Sequence, residues 1–244
     1  MMSRHRIAVF DLDDTLYHEH DYVVSAFSYI ARDLSHRYAL DYDAMVGTMM
    51  SAGNPFDNLL RYISHTATPI TEDVAWLVDT YRNHPPTLEL SADAKRTIEM
   101  LQAHNVELAI ITDGRVTSQN NKIKALGLNR IVKPENIIVS EAVEGDKLSG
   151  KPFELLVAQA GPDNEYTYIG DNPAKDFVWP NRHNWTTIAL ADTSGINIHR
   201  QEWDKFPAIN RPRHIVDNLL DIVPLIVKPN IVNLSLIHIL RAHE

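Results

Sequence analysis

The chain has 244 residues, the length of one domain or of one domain carrying an insert. Its 44% hydrophobic and 23% charged residues are those of a folded protein and exclude disorder along the whole length. The absence of cysteine excludes a disulfide framework, a thiolate metal site and a Cys nucleophile, and the formal charge of −9 argues against a general nucleic-acid binder, which needs a basic face.

Ile7-Ala8-Val9-Phe10 is a short continuous apolar run that ends in acidic residues, as expected of a strand covered on both faces. Similar runs follow at 106–111, 137–139, 166–169 and 186–190, with helical stretches near 92–104, 119–126, 152–160 and 174–183. Strands alternating with helices predict an α/β fold with a doubly wound, Rossmann-like parallel sheet. Residues 17–88 break that rhythm. They show helical periodicity near 22–38, 42–50, 56–63 and 72–82, with Asn54-Pro55 and Pro85-Pro86 as turns. A helical insert after the first strand is therefore expected, with 1–16 and 89–227 forming the core. The insert holds four arginines, no lysine and nine acidic residues, so it is no basic lid for a long polyanion. Beyond it, 214–216 reads as a last short strand and 217–227 as a helix. The apolar tail 228–244 is compatible with a packed arm, an oligomer contact or a non-native extension. No run approaches the roughly 18 apolar residues of a membrane span. The first residues lack the long apolar stretch and cleavage site of a secretory leader, which makes the cytoplasm the expected address.

Ligands of open α/β sheets bind outside the carboxyl ends of the strands, and this chain places its carboxylates there. Asp11 and Asp13 follow the first strand. Residues two apart in an extended segment project the same way, so both can face one substrate, one attacking while ionised and the other handling protons. Asp171 follows the 166–169 run, and Asp176 is expected in the first turn of the next helix. Carboxylates this crowded near Asp11 call for a cation between them, and Mg²⁺ with its preference for oxygen ligands is the natural choice. Thr112-Asp113-Gly114 closes the second long strand, where a hydroxyl and backbone amides can hold an anion's oxygen. Lys151 stands before Pro152 at a helix start that would aim its ammonium at the cleft. Lys147, four residues upstream, is the alternative. Gly145 to Lys151 also fits G-x-x-x-x-G-K, but Pro152 stands where a triphosphate loop needs Ser or Thr. The 12 histidines show no i, i+4 metal pair, although Tyr17 and His18 lie close enough to Asp13 to touch a substrate. No G-x-S-x-G elbow is present.

Taken in order, Phe10-Asp11-Leu12-Asp13-Asp14-Thr15-Leu16, Ile111-Thr112-Asp113-Gly114, Lys151-Pro152 and Gly170-Asp171 with Asp176 resemble the motifs of the haloacid dehalogenase superfamily. The insert at 17–88 looks like that superfamily's type-1 helical cap. The resemblance implies a phosphoric monoester hydrolase in which Asp11 forms an aspartyl-phosphate. Asp13 would protonate the leaving oxygen and then deprotonate water. Thr112, Asp113, Gly114 and Lys151 would hold the phosphoryl group. Mg²⁺ would be held by Asp11, the Asp13 carbonyl and Asp171, with Asp176 acting directly, through water or on Lys151. Dehalogenases of this fold lack an Asp at position 13, so Asp13 favours a phosphatase. The expected substrate is a small phosphorylated metabolite, such as a sugar phosphate or nucleotide monophosphate, with no nucleic-acid or membrane partner. A phosphomutase keeps both aspartates and remains the alternative of the same class. A non-catalytic phosphate-binding protein is the alternative of another class. Arg61 and Arg115 are candidates for a second anionic group of the substrate.

Overall fold

The computed structural model describes residues 5–66 and 68–227. The tail at 228–244 lies outside the described residues. Six parallel strands form one sheet: β1 (Arg6–Phe10), β2 (Glu107–Thr112), β3 (Ile137–Val139), β4 (Glu165–Gly170), β5 (Thr186–Leu190) and β6 (His214–Val216). Their order is β3-β2-β1-β4-β5-β6. The chain fills one side of β1 with β2 and β3, then returns to the other side with β4. The reversal leaves a crevice at the carboxyl ends of β2, β1 and β4. Phe10 is level with Ile110 of β2 and Ile169 of β4. The residues just beyond these, including Asp11, Thr112 and Asp171, therefore gather at one edge.

Strand β1 illustrates why the sheet is two-faced. Ile7 and Val9 pack on one side with Ala109, Ile111, Phe153 and Tyr168. Ala8 and Phe10 pack on the other with Ile98, Leu108, Ile110 and Ile222. Period-two alternation of apolar residues on both faces requires cover on both, and helices supply it. Phe153 stacks on Trp179 at a centroid distance of 5.0 Å. That ring sits so close to the start of the helix holding Phe153 that a Cβ on Gly150 would lie 2.1 Å from Trp179 Cδ1. Gly150 also has a φ of +83°, so both space and backbone demand glycine there.

Between β1 and β2 lie α1 (Glu19–Tyr38), α2 (Tyr42–Met49), α3 (Pro55–Ser64), α4 (Val74–Asn83) and α5 (Ala92–Ala103). Helices α2 to α5 each begin with an Asp, Asn or Ser whose side chain accepts an N–H of the first turn: Asp41, Asn54, Asp73 and Ser91. The first four helices share an apolar core of their own, built on Phe27, Ile30, Leu34, Met45, Met49, Leu59 and Leu77. The remaining helices are α6 (Val116–Ala125), α7 (Lys151–Ala160), α8 (Val178–Arg182) and α9 (Ile222–Ile226). Two helices are shorter than the sequence suggests. Residues 172–177 form turns rather than the start of α8, and the 217–227 stretch contains only a 3₁₀ turn at Leu219–Asp221 and α9. Asn218 caps that 3₁₀ turn by accepting from Leu220 N–H.

Candidate active site

Asp11, Asp13, Asp14, Glu19, Thr112, Asp113, Asp171, Asn172, Lys175 and His199 line a pocket of about 100 Å³ at the crevice. Asp11 is anchored at the tip of β1, its N–H donating to Ile169 C=O at 2.8 Å. One oxygen each of Asp11, Asp171 and Asp176 lies within 4.8 Å of the others, and all three residues are buried. Among the described residues one ammonium contacts two of them. Lys147, fully buried, reaches Asp11 Oδ1 at 2.6 Å and Asp176 Oδ1 at 2.7 Å.

Lys147, and not the expected Lys151, is the lysine beside Asp11. Lys151 is exposed, and its Nζ donates to the Glu144 carbonyl at 2.9 Å. Side chains of a helix's first residue lean back towards its N-terminus, which here carries Lys151 to the preceding turn and not to the sheet edge. Lys147 belongs to that turn. Its backbone N–H donates to Asp113 Oδ1 at 3.1 Å, and this bond points its side chain inward. The positions of the carboxylates hold the ammonium charged: burial alone would lower the Lys147 pKa, but Asp11, Asp176 and Asp113 outweigh it and raise it.

Asp176 serves Lys147 and the strand tip. Its Oδ1 accepts from Lys147 and from Tyr168 OH at 3.3 Å, and its Oδ2 accepts from the N–H groups of Asp171 and Asn172 at 3.1 and 2.8 Å. A Cβ on Gly170 would lie 2.5 Å from Asp176 Oδ2, so glycine before Asp171 is needed for this closure. One lysine does not balance three buried carboxylates. Burial, then the Asp176 charge, then that of Asp11, push Asp171 up to about 9. Burial pushes Asp11 up to about 7 against the pull of Lys147. Such a donor set, all carboxylate oxygens and short of positive charge, fits a hard divalent cation.

Asp13 has separate surroundings. Lys122 Nζ is 2.7 Å from its Oδ1, Tyr17 OH donates to the same oxygen, and Gln119 Nε2 donates to Oδ2 at 3.0 Å. Burial would raise its pKa, but the Lys122 charge and the three donors overcome this and lower it. Gln119 also donates to Thr112 Oγ1 at 2.5 Å and to Asp113 C=O at 3.1 Å. Lys122 Nζ lies 4.4 Å from the centroid of the Tyr22 ring on α1, so it joins the core to the helical insert. Gln119 and Lys122 stand one turn apart on α6 and are both buried. Two buried polar residues at i, i+3 behind a Thr-Asp-Gly turn are the signal by which a sequence reading could have found them.

Thr112 and Asp113 line the pocket, whereas Gly114 does not. Gly114 N–H donates to Ser140 Oγ at 3.0 Å, so it is directed away from the crevice. Asp113 Oδ2 pairs with Lys175 Nζ at 3.1 Å. Arg61 and Arg115 are exposed and outside the pocket lining. Tyr17 touches Asp13, while His18 lines a neighbouring depression with Asp14 and Asn218. Lys175, Glu19 and His199 also line the pocket, and no sequence motif marks them for it. Burial, and after it the Asp13 charge, push the Glu19 carboxyl up to about 7. Among the described residues no helix is long and apolar enough to cross a membrane.

The chain is similar to known proteins in sequence and in fold. The chain is 28% identical over 164 residues, 66% of its length and 67% of the relative's, to a protein of Halopiger xanaduensis named ribulose-1,5-bisphosphate 5-phosphatase. Its fold matches the HAD-hydrolase YfnB of Bacillus subtilis, solved bound to magnesium, with a TM-score of 0.66 and 20% identity over 92% of this chain and 99% of that one. It also matches the L-2-haloacid dehalogenase of Xanthobacter autotrophicus, with a TM-score of 0.57 and 15% identity over 93% of this chain and 100% of that one. The model of the haloacid dehalogenase-like hydrolases matches residues 8–190, from β1 through β5 and every strand-end carboxylate described above. The chain therefore belongs to the haloacid dehalogenase-like hydrolase family.

Proposed function

We propose that this protein is a Mg²⁺-dependent phosphatase that hydrolyses a small phosphate monoester, a sugar phosphate or a nucleotide monophosphate, through an aspartyl-phosphate. The observation that carries the reading is Asp13: a second carboxylate two residues beyond Asp11, lining the same pocket and held by its own lysine apart from the Asp11–Asp171–Asp176 cluster. Carbon–halogen cleavage has no use for an acid there. The relative's name adds support for phosphoryl chemistry.

In this reading an Asp11 carboxylate oxygen attacks phosphorus and the bond to the leaving oxygen breaks, with Asp13 supplying that oxygen's proton. Water then attacks the acyl-phosphate while Asp13 takes its proton, and phosphate leaves with Asp11 restored. Lys122 keeps Asp13 ionised in the arrangement seen, the state that accepts the water's proton, so the proton given to the leaving oxygen must first reach Asp13 with the substrate, as the monoanion of the phosphate ester brings it. Thr112 holds a phosphoryl oxygen. Lys147 neutralises Asp11 from behind, since the lysine is fully buried and absent from the pocket lining. Asp11, Asp171 and the Asp13 carbonyl would hold Mg²⁺, which when bound lowers the repulsion between nucleophile and substrate. The insert at 17–88, with its own apolar core, is the cap that selects the leaving group.

The test is phosphate release from an aryl phosphate and from a panel of sugar phosphates and nucleotides, with Mg²⁺ and with EDTA. Release that requires Mg²⁺ is expected. No release from any member would refute the reading, and isomerisation without net phosphate would replace it with a mutase.

The raised carboxyls predict a second behaviour. Asp11 and Asp171 lie above their ordinary value of 3.8. The metal-free fold therefore binds more protons than the unfolded chain, and their contribution to stability is fully present at low pH. It is lost as the pH rises through about 7 and then about 9. Melting in EDTA should show a falling transition temperature over this range, and stabilisation by Mg²⁺ should grow over the same range. Asp171→Asn should remove the upper part of the fall. A metal-free transition indifferent to pH in both proteins would contradict the charge imbalance.

A further inference from the structure

We infer that the loop between β5 and β6 is part of the metal site and that Asn197 is the positioning residue that holds Asp171 ready for the cation. This inference rests on the reading of Asp171 as a metal ligand. Asn197 Nδ2 donates to Asp171 Oδ2 at 3.1 Å. Gln201 Nε2 donates to the Asp171 carbonyl at 2.9 Å, and the Asp171 N–H is taken by Asp176. The N–H, the C=O and one carboxylate oxygen of Asp171 are thus each engaged. Its Oδ1 has no hydrogen-bond partner among the described residues and is left for a cation. A carboxylate on a strand tip otherwise turns about two side-chain torsions, and a fixed orientation removes that freedom before the cation arrives.

The loop is built to deliver this contact. The Asp192 carboxylate accepts from Ser194 Oγ and from the N–H groups of Gly195, Ile196 and Asn197 at 2.7 to 3.2 Å. Gln201 closes the other end, donating to Leu190 C=O at 2.7 Å and accepting from Asp192 N–H at 2.8 Å. Ile198 N–H donates to Asp14 Oδ2 at 3.0 Å, and Asp14 Oδ1 accepts the N–H of Glu19 at the start of α1. The next residue, His199, lines the pocket. The loop thereby touches two strand-tip acids, and Asn197 contributes the single side-chain donor to the carboxylate of Asp171 among the described residues. Partners that orient a metal ligand typically change affinity 10- to 100-fold when removed.

The test is calorimetric titration of EDTA-stripped protein with Mg²⁺ alone, together with melting in EDTA. Asn197→Leu, with the same branching but without a donor, is expected to bind Mg²⁺ at least about tenfold more weakly. Its metal-free melting temperature should stay within about 2 °C of the parent. Asn197→Ser, with a shorter donor, should fall between. Asp192→Ala, remote from the cation but releasing the loop, should weaken binding in the same direction and serves if Asn197→Leu does not fold. Affinities within twofold of the parent in folded variants would overturn the proposal while leaving the phosphatase reading intact. So would a loss of metal-free stability without a loss of affinity. A parent protein that binds no Mg²⁺ would overturn both, whereas Mg²⁺ binding without phosphate release would overturn only the phosphatase reading.

Discussion

Asp11→Asn should lower phosphate release by on the order of 10⁴-fold or more, with the protein still folded. The substitution keeps the shape of the side chain and removes the charge that makes it a nucleophile. An amide nitrogen or oxygen in that place forms no acyl-phosphate, so the reaction falls back on whatever binding and electrostatics can do alone. The fold should tolerate the change, because Asp11 is one of three buried carboxylates sharing Lys147 and its own ionisation is already opposed by burial. In EDTA at neutral pH the variant should melt no lower than the parent. Steady-state kinetics with an aryl phosphate, and trapping of labelled phosphate on the protein after a denaturing quench, check both halves. A variant that retains more than about one per cent of the parent rate would show that another group attacks phosphorus.

The second large effect separates two lysines four residues apart. Lys147→Met should cost about 10²–10³-fold in turnover, the size expected when one preorganised charge is removed from a developing anion. Lys151→Met should stay within about twofold, since Lys151 is exposed and bonded to the Glu144 carbonyl. Lys147 also carries structure. Removing it strands Asp11 and Asp176 without their ammonium, and breaking a buried ion pair from one side typically costs about 3–5 kcal/mol. Low pH should partly restore the stability of Lys147→Met, because protonation of the orphaned carboxyls relieves the same imbalance. Parallel measurement of rate and melting temperature for both variants decides the assignment. Equal losses of activity in the two would return Lys151 to the site.

The sheet and the tips of its strands were readable without coordinates for a local reason. Ile7 to Phe10 and Leu108 to Ile111 are continuous apolar runs, Tyr166 to Ile169 is broken only by Thr167, and each is followed within a few residues by an acid. Apolar continuity implies cover on both faces, and the Asp11, Asp13 and Asp171 placements follow from where such strands end. Sequence does not separate the two lysines, because Lys147 and Lys151 have equal chemistry and nearly equal sequence position. Their difference lies in one backbone bond to Asp113, made across 34 residues. The partner of the Gly114 N–H is equally invisible in sequence, since it is Ser140, 26 residues away.

From the chain of residues alone came the family resemblance, the parallel α/β core, and the placing of Asp11 and Asp13, the proposed nucleophile and its companion acid, at the end of the first strand. Each depends on residue type and on neighbours a few positions apart, where strand period and hydrophobic cover are strict. Tertiary structure alone decided which lysine faces Asp11, that Asp13 is gripped by Lys122, Gln119 and Tyr17, and that Asn197 meets Asp171. These are pairings of single polar atoms brought together by the packing of distant segments. A hydrogen bond is satisfied by any suitable donor within reach, and only the folded backbone determines which donor is there.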